Sequence, residues 1–325
     1  MVKAGELLFL SKKDIEAILS PKEAIDICET TFKLINEGGV SQLFGNMLSV
    51  PGKGVFLPYP AVIESLGVAG IKWLSGFRAN PSKGLPLFMA TNILNDSETG
   101  APIAIMEGMT ITSMRTAGHA AVGAKYMAKK NSETIAIIGC GLEGRTHLRL
   151  MNELFNIKEV RACDLVEEAR ENFSKEMSEM LKVRVKATSS VEEAVKDADI
   201  VCEVSTAKQP IVMDEWLGPG CYLAGTNPIG VDPKFYSRAD RWIVGHRERD
   251  LRWVEGPESS GFKYNKQCIH ASLDEVVVGK KSGRDSDLER TLMTHHGMSA
   301  LDVSCMYMVY KKAKEKGVGT ILNLL

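Results

Sequence analysis

The sequence predicts an α/β protein in which a doubly wound parallel sheet is joined to a second, α+β domain. Three observations carry this. Strands and helices alternate from Thr134 onward, a glycine-rich turn closes the first of those strands, and residues 45 to 106 have a different texture of short apolar runs broken by Gly, Pro, Asn and Ser. At 325 residues the chain also exceeds the size that one hydrophobic core usually serves.

Composition narrows the partners. With 44% hydrophobic and 25% charged residues, the chain is neither disordered nor fibrous. A formal charge of -1, from 40 basic and 41 acidic residues, gives no electrostatic reason to bind nucleic acid or an anionic membrane. Seven cysteines, at 28, 140, 163, 202, 221, 268 and 305, form no CxxC pair and no zinc-finger spacing with histidine, so they read as reduced thiols of a cytoplasmic protein. The opening MVKAGELLFLSKKD returns quickly to charge, and no apolar run approaches ~18 residues; neither a signal peptide nor a membrane span is expected.

Ser11-Lys12-Lys13-Asp14 and Ser20-Pro21-Lys22-Glu23 have the form of capping boxes and start two helices. The second carries Ala24, Ile25, Ile27, Cys28, Thr31, Phe32 and Leu34 on one face and stops at Gly38-Gly39. GVFLPYPAVI, GVAGIKWL and LPLFMATNIL read as strands of a β-rich module. GMTITSMRTAGHAAVGAKYMAKK, from 108 to 130, is Ala-rich and helix-forming, a natural hinge into a second domain. Beyond it come the strand TIAIIG, a helix from about 144, VRACD, a helix over VEEARENFSKEMSEML, VRVKA, a helix capped by Ser190, and DIVCEVS.

The first of those strands ends on Gly139-Cys140-Gly141-Leu142-Glu143-Gly144, and helical character follows. Glycines there permit a tight turn and close backbone approach, so that amides at a helix N-terminus hold a pyrophosphate. Asp164 ends the next strand, where a carboxylate accepts ribose hydroxyls and repels a 2′-phosphate. The expected cofactor is therefore NAD, with nearby Lys and Arg leaving NADP open. A lone GxGxxG is weak evidence; here strand, turn, helix, second strand and acid coincide. Thr206, just past DIVCEVS, falls at the same carboxyl edge, toward the nicotinamide side.

GIKW (70 to 73), NPSKGLP (80 to 86), SMRTAG (113 to 118), IIGCGLEG and GKKSGRDSD (279 to 287) together resemble the ornithine cyclodeaminase and mu-crystallin family, from about residue 10 to the end. The resemblance implies a Rossmann domain (119–297) inserted in a substrate-binding and dimerisation domain (1–118 plus 298–325), a homodimer, and nicotinamide chemistry on amino, imino or keto acids. It makes Lys72 the contact to the substrate carboxylate or imine and Arg115 an arginine shared by substrate and cofactor phosphate. Read alone, Lys72 is a solvated strand end and Arg115 a salt-bridged helix residue.

Departures from the family pattern reshape the substrate side. A family arginine falls at Val55, a threonine at Leu87, and the catalytic aspartate of the cyclodeaminases at Asn227, whose amide exchanges no proton near neutral pH. Arg78, in GFRANP, is a candidate replacement for the arginine. Thr294-His295-His296-Gly297 replaces a small Ser-containing turn: His296, or else His295, is a candidate proton donor, and His295 a candidate cofactor contact; the bland alternative is that both flank the helix near Met298. Phe56, Leu57, Tyr59 and Leu87 suggest an apolar pocket. The remaining histidines, 119, 147, 246 and 270, show no metal spacing, and no metal is expected. Three functions follow in order: a reductase or dehydrogenase acting on C=N or CH–NH2, a cyclodeaminase of the lyase type, and a mu-crystallin-like binder of nucleotide and small ligand.

Overall fold

Two sheets organise the chain in the computed structural model, which describes residues 5–44, 47–255 and 264–324. Internal contacts divide the chain into two units: Met1–Arg115 with Gly297–Leu325, and Thr116–His296.

The first unit opens with β1 (Glu6–Leu10), α1 (Lys12–Glu16) and α2 (Pro21–Asn36). Both helices begin on closed capping boxes, in which Ser11 and Asp14, and likewise Ser20 and Glu23, exchange side-chain and backbone hydrogen bonds. Helix α2 buries Ala24, Ile25, Cys28, Thr31 and Phe32, leaves Ile27 and Leu34 half-buried, and ends where Gly38 takes φ +81. Then come β2 (Val40–Gln42), β3 (Leu48–Val50), β4 (Gly54–Ile63), β5 (Val68–Phe77), β6 (Phe88–Asp96) and β7 (Pro102–Glu107). Pro58 and Pro60 do not break β4. They fall between its stretches paired to β3 and to β2, so a missing N–H removes no bond to either strand, and the Pro60 carbonyl accepts from Leu43 N at 3.2 Å. Helix α3 (Met109–Met127) carries the chain into the second unit.

That unit contains β8 (Thr134–Ile138), α4 (Leu142–Leu154), β9 (Glu159–Cys163), α5 (Glu167–Leu181), β10 (Arg184–Thr188), α6 (Val191–Val195), β11 (Ile200–Glu203) and β12 (Tyr222–Gly225). It continues with α7 (Pro233–Arg238), β13 (Arg241–Val244), α8 (Arg247–Glu255), β14 (Ile269–Ser272), α9 (Leu273–Val277) and β15 (Thr291–Thr294). The strand order is β10-β9-β8-β11-β12-β15-β13-β14, parallel throughout. Strands β9 and β10 extend the sheet to one side of β8 and β11 and β12 to the other, so the order reverses between β8 and β11. Central strands are buried on both faces, so β11 and β12 read as apolar runs without alternation.

The chain then returns to the first unit through α10 (Ser299–Lys316) and β16 (Thr320–Asn323). The first sheet has the order β16-β1-β7-β6-β5-β4-β2, with β3 also on β4; only the β1–β7 pairing is parallel. Helix α10 lies on the face bearing Gly70, Lys72 and Leu94. It comes so close that a Cβ on Gly70 would stand 3.1 Å from Val303 Cγ2 and 3.4 Å from Met306 Sδ, while the neighbouring β6 puts the Ile93 carbonyl at 3.0 Å. The opposite face presents Leu48, Val62, Trp73 and Met89 to solvent, with Phe56 stacked on Trp73 at 5.2 Å.

Gly70→Val therefore overfills this contact. It is expected to cost about 2–3 kcal/mol and lower Tm by roughly 5–10 °C in calorimetry; an unchanged Tm would show that α10 is not seated on Gly70.

Candidate active site

The glycine turn has separable local causes. Gly139 takes φ +107, and a Cβ there would lie 2.9 Å from the Ser205 backbone. A Cβ on Gly144 would lie 2.2 Å from the Gly139 carbonyl, because α4 packs directly on the turn. At Gly141 a Cβ would meet nothing within 4 Å, so this side of the turn is open. Gly141 is also the N-cap of α4, and no side chain caps that end. A 13-residue helix with an open N-terminus over a glycine turn fits a pyrophosphate. The helix starts at Leu142, two residues earlier than the sequence suggested, which brings Leu142 and Glu143 into its first turn.

Asp164 follows β9, as the ribose reading requires, but its carboxylate is already engaged. Oδ2 accepts from Cys140 N at 2.8 Å and Oδ1 from Val166 N at 3.0 Å. Each carboxylate oxygen accepts more than one bond, so Asp164 can both pin the turn and take a ribose hydroxyl. Arg145 donates to the Cys140 carbonyl and pairs with Glu176 at 2.8 Å, a cation beside the turn that sequence inspection left general.

In the first unit Lys72 and Arg115 share one buried carboxylate. Lys72 Nζ stands 2.9 Å from Asp302 Oδ2, and Arg115 Nε donates to Asp302 Oδ1 at 2.9 Å; the three side chains are 1%, 5% and 0% exposed. Lys72 also lies over the Tyr59 ring, 4.4 Å from its centroid. The register explains this, since Tyr59 opposes Lys72 across β4 and β5. Lys72 is thus no solvated strand end. Other pocket candidates separate: Phe56 points to the opposite face of the sheet, stacked on Trp73, because strand neighbours alternate. Leu57 shares the face of Tyr59, while Leu87 precedes β6 and accepts from Phe77 N, away from the Lys72 pair. Val55 opposes Gly76. Arg78 is exposed in the turn after β5, roughly 20 Å along the strand direction from Lys72. It does not join the cluster.

The adjacent histidines diverge. His296 Nδ1 pairs with the buried Asp250 carboxylate, whose other oxygen accepts from His246 N at 2.7 Å. His295 Nε2 meets Thr226 Oγ1 at 3.1 Å, and Thr226 meets His147 Nε2 at 3.1 Å. The His119 ring lies tilted against that of His295, 4.2 Å between centroids and 33° between planes. Histidines that looked scattered in sequence therefore converge, with only His270 well apart on Arg241. Burial holds fully buried His147 down at about 4, so it is neutral; its Nδ1 must donate to the Glu143 carbonyl at 2.8 Å. His147 Nε2 then accepts from the Thr226 hydroxyl, and His295 Nε2 donates to Thr226.

Asn227 Nδ2 donates to the Ala207 carbonyl at 3.0 Å, a loop-holding bond. Thr206 is exposed beyond β11. Beneath both lies Glu203, buried at the end of β11; desolvation raises it to about 7, and it accepts from Ser205 N at 2.9 Å and from the Ser205 hydroxyl at 2.5 Å.

The model of the ornithine cyclodeaminase/mu-crystallin family matches residues 6–317. The chain belongs to that family. It is 32% identical over 323 residues to the alanine dehydrogenase of Archaeoglobus fulgidus, covering 97% of this chain and 98% of that one. The structure of Thermococcus litoralis Delta(1)-pyrroline-2-carboxylate reductase in complex with NADH and L-proline superposes with a TM-score of 0.90 at 32% identity, covering 97% and 99% of the two chains. An archaeal alanine dehydrogenase dimer with bound NAD gives 0.89 at 30% identity, covering 98% and 100%.

In this family member, residues that the sequence did not single out are buried acids: Asp302, Glu203 and Asp250. The available signal was a lone acid inside an apolar run, in SALDVSCM and IVCEVS, because ionisable groups are rarely buried without a role.

Two of the buried groups set opposed pH slopes. His147, about 4 when folded against 6.5, stabilises the fold above pH 6.5 and loses that contribution as pH falls toward 4. Glu203, about 7 when folded against 4.5, favours folding below pH 4.5 and loses that contribution as pH rises through 7. Glu203→Gln copies the protonated acid, so its stability relative to wild type is expected to grow between pH 4.5 and 7 and level off near ~3 kcal/mol in urea titrations. A difference independent of pH would contradict the buried acid.

Proposed function

We propose that this chain is an NAD(H)-dependent oxidoreductase that interconverts a small imino or keto acid and the corresponding amino acid. The observation that carries this is the Lys72–Asp302–Arg115 cluster, two cations fixed on one buried carboxylate, in a chain that also carries a dinucleotide turn. Lysine presents a compact cation and arginine a planar forked one, and both geometries suit a carboxylate. A substrate carboxylate is the natural partner for such a cluster. When bound, NAD(H) supplies or accepts the hydride. Gly139, Gly141, Leu142, Glu143 and Gly144 cradle its pyrophosphate, Asp164 takes the ribose and disfavours NADP, and Thr206 and His295 border the nicotinamide side.

Lys72 and Arg115 hold the carboxylate and polarise the C=N or C=O bond, while Asp302 prevents them from swinging. His296 gives the proton. With Nδ1–H directed at Asp250, its Nε2 is the exchanging atom. Asn227, occupied with Ala207, offers no proton exchange for a cyclodeaminase. The exposed apolar face around Trp73 is the surface on which a second copy docks, giving a homodimer, and the seven free thiols suit the cytoplasm.

Net loss of NADH absorbance at 340 nm is expected with a cyclic imine, or with pyruvate plus methylamine, whereas ornithine with NAD should show no net cyclising turnover. Lys72→Met should lower kcat/KM at least about 100-fold with NADH affinity retained, Arg115→Ala should lower kcat/KM at least about 100-fold and weaken NADH as well, and His296→Ala should cost about 100-fold in kcat. Full turnover by His296→Ala would remove it as proton donor. In light scattering, Trp73→Glu should convert a dimer to a monomer; an unchanged dimer would place the interface elsewhere.

A further inference from the structure

Asn92 is polar where the sheet would take an apolar side chain. It is fully buried on β6, on the face that carries Leu94, and opposite Met106 of β7, both buried. Neither Oδ1 nor Nδ2 has a hydrogen-bond partner among the described residues. Buried amides are nearly always satisfied, so this one is a net cost to the folded state that Leu or Met at the same place would not carry. Its location gives the reason. Asn92 is the cross-strand partner of Lys72, which is in turn the partner of Tyr59. Directly opposed residues of antiparallel strands share a face with Cβ atoms about 5 Å apart. Tyr59, Lys72 and Asn92 therefore form one row across three strands, and Asp302 of α10 is bonded to the middle of it.

We propose that Asn92 is a substrate-binding residue that reads the nitrogen of an α-amino or α-imino acid. Its Oδ1 accepts from the substrate N–H and its Nδ2 donates to a carboxylate oxygen, so one ligand satisfies both atoms. Lys72 and Arg115 recognise the carboxylate that every 2-keto, 2-hydroxy and amino acid shares. Asn92 adds a demand for nitrogen, which selects amino and imino acids over keto and hydroxy acids. This inference rests on the oxidoreductase reading above.

The test compares Asn92→Leu and Asn92→Met with wild type by ligand-free melting, by titration of L-proline and L-alanine in the presence of NADH, and by NADH binding alone. Both variants are expected to melt roughly 2–6 °C higher, because the unsatisfied amide is gone. Amino-acid affinity should fall at least about 10-fold, with the dissociation constant of NADH within about two-fold of wild type. If both variants melt below wild type, the amide has a structural partner and the proposal is overturned. If wild type binds the amino acids and the variants bind them equally well, Asn92 does not read the substrate, although the oxidoreductase reading stands. If wild type binds neither amino acid with NADH, that reading fails and this one with it.

Discussion

The ion cluster centred on Asp302 is the constraint around which the first unit is arranged. Removing two cations and a carboxylate from water is costly, and their mutual attraction offsets that only with good geometry. Each partner comes from a different element: Lys72 from β5, Arg115 from α3 and Asp302 from α10. The cluster therefore fixes a strand against two helices distant in sequence. Gly70, two residues before Lys72, lets α10 descend far enough for the carboxylate to arrive. A buried pair of this kind is weak evidence for stability, because packed apolar residues would stabilise the unit as well.

The second unit solves a different problem, holding glycine-rich loops still at the reversal of strand order. Glu203 anchors Ser205, whose backbone fills the space that Gly139 leaves, and the Glu203 carbonyl accepts from Thr226 and Asn227. From the other side, His147 of α4 holds Thr226 and through it His295. A neutral His147 gives that chain a single direction of donation, which sets the tautomer of His295. Loops after β8, β11, β12 and β15 are thus tied by short polar links that apolar packing could not orient.

The parts of the fold written in local sequence were legible. Ser11 and Ser20 announce their helices, β8 to β11 alternate with helices in order, and the glycine turn sits where strand meets helix. Family resemblance supplied Lys72 and Arg115. What could not be read were contacts made across long separations. Asp302 meets Lys72 230 positions away, and the Thr226–His295 link spans 69. Strand faces were a second blind spot: Phe56 and Tyr59 look equivalent in GVFLPYPAVI until pairing assigns them to opposite sides. His295 and His296 similarly diverge because successive residues cannot share one direction in extended chain.

The most direct test of the ion cluster as a carboxylate receptor is calorimetric titration of the NADH-loaded protein with L-proline and L-alanine, set beside L-prolinamide and L-alaninamide. The acids and amides differ little in shape but only the acids carry the anion. Lys72 and Arg115, held by Asp302, predict binding of the acids and at least about 100-fold weaker binding of the amides. Equal affinity for acid and amide would contradict the account.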